Sequence, residues 1–282
     1  MTATGTPLYK QLSPSLYHRL SFGQAYGITD VGTVRQSNED NFLIDETLGL
    51  VVIGDGMGGH DGGEIASASA LLAVRDFIAD SVQKDQIALQ KKVVDYDPDA
   101  TWSDATMPAV KILFDAVEHA NTLLYQQNLA NYYGEGRGMG TTLTGLWQYL
   151  SEGRLVVFHV GDSRLYRYRN GEFSMLTRDQ TMYQQAIDAG AVDNLPPTNL
   201  LLQAIGPNPK VKPVVRSHIY QPGDLYLLCT DGLYGNTPHS AMEEIMQHTQ
   251  AHQLEPSCAA LIALAKEHGS RDNISALLII CS

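Results

Sequence analysis

The chain has 282 residues, 44% hydrophobic and 18% charged, enough for one large domain or two small ones with a sizeable core. Its formal net charge of −12 disfavours a general binder of nucleic acid or anionic membrane, which needs a basic face. No apolar run reaches the roughly 18 residues of a membrane span, and the three cysteines (Cys229, Cys258, Cys281) lack a Cys-x-x-Cys spacing; a cytoplasmic protein in a reducing compartment is expected.

Residues 1–21 read as an N-terminal leader, polar and weakly patterned, with Pro7 and Pro14. One domain, residues 22–282, is expected to follow. Residues 25–32 are strand-like and lead into a polar turn over 33–41. Two short apolar strands follow, 42–44 and 50–53. The second runs into Gly54, Asp55 and a cluster of glycines that extends to Gly63. This pattern delivers one carboxylate to a point where backbone approaches something closely. A carboxylate beside a glycine carbonyl suits a hard cation such as Mg²⁺ or Mn²⁺. A glycine-rich turn with a solvated Asp is the competing reading.

Ala66, Ala70, Ala73 and Phe77 fall at helical spacing, which predicts a helix over 63–79. Residues 81–107 are polar and irregular and read as an exposed insertion, with a helical piece near 87–94. A second helix is predicted over 108–127, with Pro108 in its first turn and a stripe of Ile112, Leu113, Ala116, Val117, Ala120 and Leu124. Glycines between 134 and 140 break the pattern. Strands follow at 141–149, 155–160 and 164–169, the last closing on Asn170-Gly171, a strong hairpin signal.

Residues 178–190 look helical. Pro196, Pro197, Pro207, Pro209 and Pro213 then predict a long loop. The apolar stretch 225–230 is a buried strand ending on Asp231-Gly232. Helices are expected at 239–249 and 256–268, the latter stopped by Gly269, and a final strand at 274–280. Strands and helices do not alternate strictly, so largely antiparallel sheets with helices outside are expected.

Three acidic positions share one logic. Asp55 and Asp231 each follow an apolar strand and precede glycine; Asp272 precedes an apolar strand. Glu39 and Asp40, before the strand at 42–44, can join them. Carboxylates crowded at one sheet edge raise one another's pKa unless cations compensate, so a metal cluster is the economical explanation. Two divalent ions roughly 3.5–4 Å apart can share a bridging water and activate it near neutral pH. Asp55 is the best candidate for a bridging carboxylate, with the Gly56 carbonyl as an uncharged ligand. Each Asp alone also fits a cap or turn. Arg35, four residues before Glu39, suits a phosphate bound through two oxygens.

Taken in order, these motifs resemble the metal-dependent protein phosphatases of type 2C, in their bacterial style. The resemblance is carried by Thr29-Asp30-Val31-Gly32, Arg35 with Asn38-Glu39-Asp40, and Gly54-Asp55-Gly56-Met57-Gly58-Gly59-His60. It continues through Gly138-Met139-Gly140-Thr141-Thr142, His159-Val160-Gly161-Asp162-Ser163-Arg164, Thr230-Asp231-Gly232-Leu233 and Arg271-Asp272-Asn273-Ile274. It implies an α+β fold: a central β-sandwich of two antiparallel sheets flanked by pairs of helices, in four layers.

It implies hydrolysis of phosphoserine and phosphothreonine in proteins by direct attack of a dimetal-bridging hydroxide, opposing a Ser/Thr kinase in signal transduction. By position, Asp55 bridges two Mn²⁺ or Mg²⁺ ions, Gly56 gives its carbonyl, and Asp231 and Asp272 complete the first metal. Glu39, Asp40 and Asp162 belong to the metal waters or outer shell, and Arg35 takes the phosphate. A third, weaker ion stays open, because Glu135 stands where an Asp is more usual. The general acid is either His60 or a metal water. Residues 178–213 correspond to the flap beside the active site. Tyr234-Gly235-Asn236 departs from the commoner continuation of its motif, with little bearing on the metals. The expected molecule is a monomer acting on a phosphorylated protein. The alternatives are a dedicated phosphatase of one signalling partner, a small-molecule phosphohydrolase, and a non-catalytic binding module of the same fold.

Overall fold

The computed structural model describes residues 11–58, 62–91, 107–131, 134–149 and 153–282. Six strands form one sheet, in the spatial order β1 (His18–Leu20), β2 (Gly23–Asp30), β13 (Ile274–Cys281), β12 (Leu225–Cys229), β9 (Arg164–Arg169) and β10 (Glu172–Met175). The facing sheet runs β11 (Val214–Ile219), β8 (Arg154–Val160), β7 (Leu143–Trp147), β4 (Leu50–Gly54) and β3 (Asn41–Asp45). A short pair, β5 (Gly56–Met57) with β6 (Gly140–Thr141), lies beside them. All pairings among the described residues are antiparallel.

Side-chain alternation along these strands sorts the core into layers. Phe42, Val51, Ile53, Val157, Leu165, Tyr226, Leu277 and Ile279 fill the space between the sheets. Outside the second sheet, α1 (Gly62–Lys91) and α2 (Met107–Ala130) bury Ala66, Ala70, Leu71, Val74, Leu113 and Val117. Outside the first, α5 (His239–His248) and α6 (Leu254–Glu267) bury Met242, Met246, Cys258, Leu261 and Ala265. The result is the expected four-layer αββα sandwich of antiparallel sheets. Two shorter helices, α3 (Met182–Asp188) and α4 (Asp231–Tyr234), belong to the end that carries the site.

Several local expectations change. Residues 11–21 are not a loose leader. They supply β1, and Leu12 N and Ser13 Oγ bond to Asn41 and Ile44 of β3. The polar stretch after residue 80 continues α1 to Lys91 instead of opening a loop; the rest of the expected insertion, 92–106, lies outside the described residues. The helix within 178–190 shrinks to Met182–Asp188, started by the Thr181 side chain accepting from Gln184 N. The strand β11 lies just past the proline-rich loop expected over 191–213, in a stretch for which no element was expected. It follows Pro213 directly and sits at a sheet edge, where an exposed, alternating strand leaves little apolar signal.

Candidate metal centre

The site is built from chain segments that leave the sheets at one end of the sandwich. Asp55 follows β4, and two neighbouring threonines clamp its backbone. Asp55 N donates to Thr142 Oγ1 at 2.9 Å, and Asp55 O accepts from Thr142 N and Thr141 Oγ1, both at 2.9 Å. Gly56 is there by steric necessity: a Cβ on it would stand 2.1 Å from Gly63 O and 2.4 Å from Glu39 O. Gly56 therefore lets its backbone pass between the first turn of α1 and the Glu39 segment.

Asp231 and Asp272 come from the other sheet. Asp231 opens α4 just after β12, and Asp272 lies two residues before β13. Asp162 lies in the short connection 161–163 from β8 to β9, which crosses between the sheets. Together with Arg35, Glu39 and Asp55 they line one cavity of about 250 Å³. Asn199 and Leu201, from the stretch expected as a flap, also line it, and nothing in their sequence context singled them out.

Asp40 sits behind this wall, 5% exposed. Its Oδ2 accepts from Thr230 Oγ1 at 2.8 Å and Ser275 Oγ at 2.6 Å. Glu39 turns its carboxylate toward the start of α1, where a Cβ on Gly63 would come 2.5 Å from Glu39 Oε2. Arg35 is exposed and donates from Nη2 to Asp272 Oδ2 at 2.7 Å. Asn273, next to Asp272, pins the Arg35 segment. Its Nδ2 donates to Val31 O at 3.0 Å and Ser37 O at 2.9 Å, and its Oδ1 accepts from Glu39 N at 2.9 Å.

The electrostatics are those of crowded carboxylates. Burial raises the Asp55 carboxyl well above its ordinary value, and Asp40, Asp231, Asp162 and Asp272 add to it. Burial likewise pushes Asp162 up to about 7, with Asp231 and Asp179 reinforcing it. Asp40 also rises to about 7: burial outweighs its two hydroxyl hydrogen bonds, and Asp231 and Asp272 repel its charge. Burial and Asp272 raise Asp231, against the pull of Asp55 and Arg35. Such a set is unfavourable unless protons or cations occupy it.

The donor set fits a hard divalent cation. It is all oxygen, lies at one cavity, and repels itself; no His or Cys of the described residues lines that cavity. Among the described residues, no three of these side chains are gathered tightly enough to close around an ion by themselves. Water would have to complete any coordination sphere, as is usual for Mg²⁺. Glu135 lies on an exposed turn and does not line the cavity. His60 lies outside the described residues.

Residues 33–278 match the family model described as protein phosphatase 2C. The serine/threonine phosphatase stp of Listeria monocytogenes serotype 4b (strain F2365) is 30% identical over 259 residues, covering 89% of this chain and 93% of that protein. The Mycobacterium tuberculosis serine/threonine phosphatase PstP/Ppp has a crystal structure that matches with a TM-score of 0.73 and 28% identity, over 95% of this chain and all of that one. The catalytic domain of PstP in complex with two manganese ions matches with a TM-score of 0.69 and 29% identity, over 91% of this chain and 96% of that one.

Proposed function

The chain belongs to the protein phosphatase 2C family and is a serine/threonine phosphatase, and from that premise we propose that it hydrolyses phosphoserine and phosphothreonine in a protein substrate using two divalent ions, Mn²⁺ or Mg²⁺. The observation that carries this reading is the convergence of Asp55, Asp162, Asp231 and Asp272 on one cavity with Arg35 at its rim. Bound ions would supply positive charge to the transferring phosphoryl group and lower the pKa of water. The two manganese ions held by the PstP catalytic domain support Mn²⁺ here.

In this reading Asp55, the Gly56 carbonyl, Asp231 and Asp272 hold the ions. Glu39, Asp40 and Asp162 orient the outer shell, Asp40 through the hydroxyls of Thr230 and Ser275. Arg35 exchanges its Asp272 partner for two phosphate oxygens, which a planar guanidinium binds together. Asn273 keeps the Arg35 segment in register with the cavity. Asn199 and Leu201 bring the flap to the substrate's side of it. No cysteine enters the chemistry: Cys229 is buried and burial pushes its thiol up to about 12.

The same reading sets the protein opposite a Ser/Thr kinase, as a cytoplasmic monomer. No helix among the described residues is long and apolar enough to cross a membrane. The test is turnover of a phosphothreonine peptide and an aryl phosphate by the purified chain. Activity with Mn²⁺ or Mg²⁺ that stops on chelation is expected; activity that survives a chelator would overturn the metal assignment.

A further inference from the structure

We propose that Tyr234 is a positioning residue that couples the root of the flap to the two carboxylates Asp162 and Asp231, so that its hydroxyl sets the affinity of that side of the centre for a divalent ion. The proposal rests on the metal-dependent reading above.

Tyr234 ends the single turn of α4 that Asp231 begins. Residues three apart on a helical turn share a face, so the two side chains start from the same side of that turn. The Tyr234 hydroxyl donates to the backbone oxygen of Asp162 at 2.9 Å. One bond thus ties the turn that carries Asp231 to the connection that carries Asp162. These are the two carboxylates on the flap side of the cavity, and both also line a second cavity, of about 210 Å³, together with Tyr234.

The ring of Tyr234 is held from its face. The Arg164 guanidinium lies 3.6 Å from the ring centroid. The same guanidinium binds Asp179 through Nε at 3.0 and 3.2 Å and through Nη2 at 2.7 Å, and donates from Nη1 to Tyr166 OH at 3.0 Å. The Arg164 and Asp179 side chains are only 25% and 10% exposed, so this fork is fixed in a way that surface pairs are not. Asp179 opens the flap. Its neighbour Gln180 bonds Gly161 twice, accepting from Gly161 N at 2.9 Å through Oε1 and donating from its own N to Gly161 O at 2.8 Å.

The connection 161–163 is therefore gripped from two directions. Gln180 holds Gly161 from the flap, and Tyr234 holds Asp162 from α4. Arg164 links the two grips, through Asp179 on one side and the Tyr234 ring on the other. Gly161 itself has φ +100°, and a Cβ there would come 2.7 Å from Thr142 Cγ2, so this connection has little freedom to relax another way. Loss of the Tyr234 hydroxyl frees the Asp162 peptide while leaving the ring for Arg164 to cover.

The experiment compares the full chain with Tyr234→Phe and Tyr234→Leu by two readouts. Amide hydrogen exchange needs no metal and reads the coupling itself. Exchange at 161–163 and 179–181 is expected to be about three- to tenfold faster in Tyr234→Phe, with β12 unchanged, and faster still in Tyr234→Leu. Titration with Mn²⁺ alone reads the consequence, with an expected affinity loss of about three- to tenfold in Tyr234→Phe. Unchanged exchange at 161–163 in both variants would overturn the coupling. Altered exchange with unchanged Mn²⁺ affinity would overturn its effect on the centre. A parent chain that binds no Mn²⁺ would instead overturn the metal-dependent reading, and the exchange data would still decide the coupling.

Discussion

Asp40 and Asp162 are held near pH 7 in the fold, whereas an aspartate in an unfolded chain titrates near ~4. The folded protein binds these protons more tightly. Their contribution to stability is complete below about pH 4 and is lost as pH rises through about 7. His159 acts in the opposite sense. It is buried with Nδ1 on Thr144 Oγ1 at 2.8 Å and Nε2 on Arg178 O at 3.1 Å, and burial pushes it down to about 4. Its contribution is present above about pH 6.5 and is lost as pH falls toward 4. Between those limits the two trends oppose; above pH ~6.5 only the carboxylates act. In chelator the melting temperature should therefore fall between about pH 6.5 and 8, and Asp40→Asn should flatten that fall. Calorimetry with Mg²⁺ should show a smaller fall, because cations replace the protons; an equal slope with and without metal would contradict the crowding.

At the scale of single elements, Gly56→Ala tests why the glycine cluster is there. A methyl group 2.1 Å from one backbone oxygen and 2.4 Å from another cannot be absorbed by turning a side chain. Destabilisation beyond ~4 kcal/mol is expected in urea unfolding, at the severe end for point changes. Asn273→Ala removes three hydrogen bonds that hold the Arg35 segment. A loss of about 1–3 kcal/mol is expected, with KM rising more than kcat falls, because the phosphate-binding segment loosens while the carboxylates stay. The glycine cluster pointed in the sequence to close backbone approach, with a glycine-rich turn as its rival, and the oxygens around Gly56 decide for close approach. The role of Asn273 was not, since its partners Val31, Ser37 and Glu39 lie more than 230 residues away. The continuation of α1 to Lys91 was missed for a different reason: its later turns carry Lys84 and Asp85 in the sequence, and polarity there reads as loop. The strand β1 was hidden in a polar segment, where His18 is buried by its bonds to Glu46 Oε1 and Pro14 O instead of by apolar character.

For the whole molecule, the order of strands and helices made antiparallel sheets with outer helices readable, the aspartates at strand ends marked the working end, and the four-layer sandwich was implied by the resemblance to the phosphatase family. The pairing of strands was less readable, because β2 beside β13 and β12 beside β9 join segments far apart in the chain. Asp55 from one sheet meets Asp231 and Asp272 from the other at a single cavity, so the proposed metal binding would be linked to folding. Each Mn²⁺ site filled at ~100 times its dissociation constant should stabilise the chain by about 2.7 kcal/mol, read as a rise in melting temperature. The most direct test of the central claim is turnover of a phosphothreonine peptide by Asp55→Asn beside the parent, both saturated with Mn²⁺ and both shown to be folded. The account predicts a loss of at least ~100-fold in the variant, since Asp55 is the carboxylate proposed to serve both ions. Turnover in Asp55→Asn equal to that of the parent would contradict it.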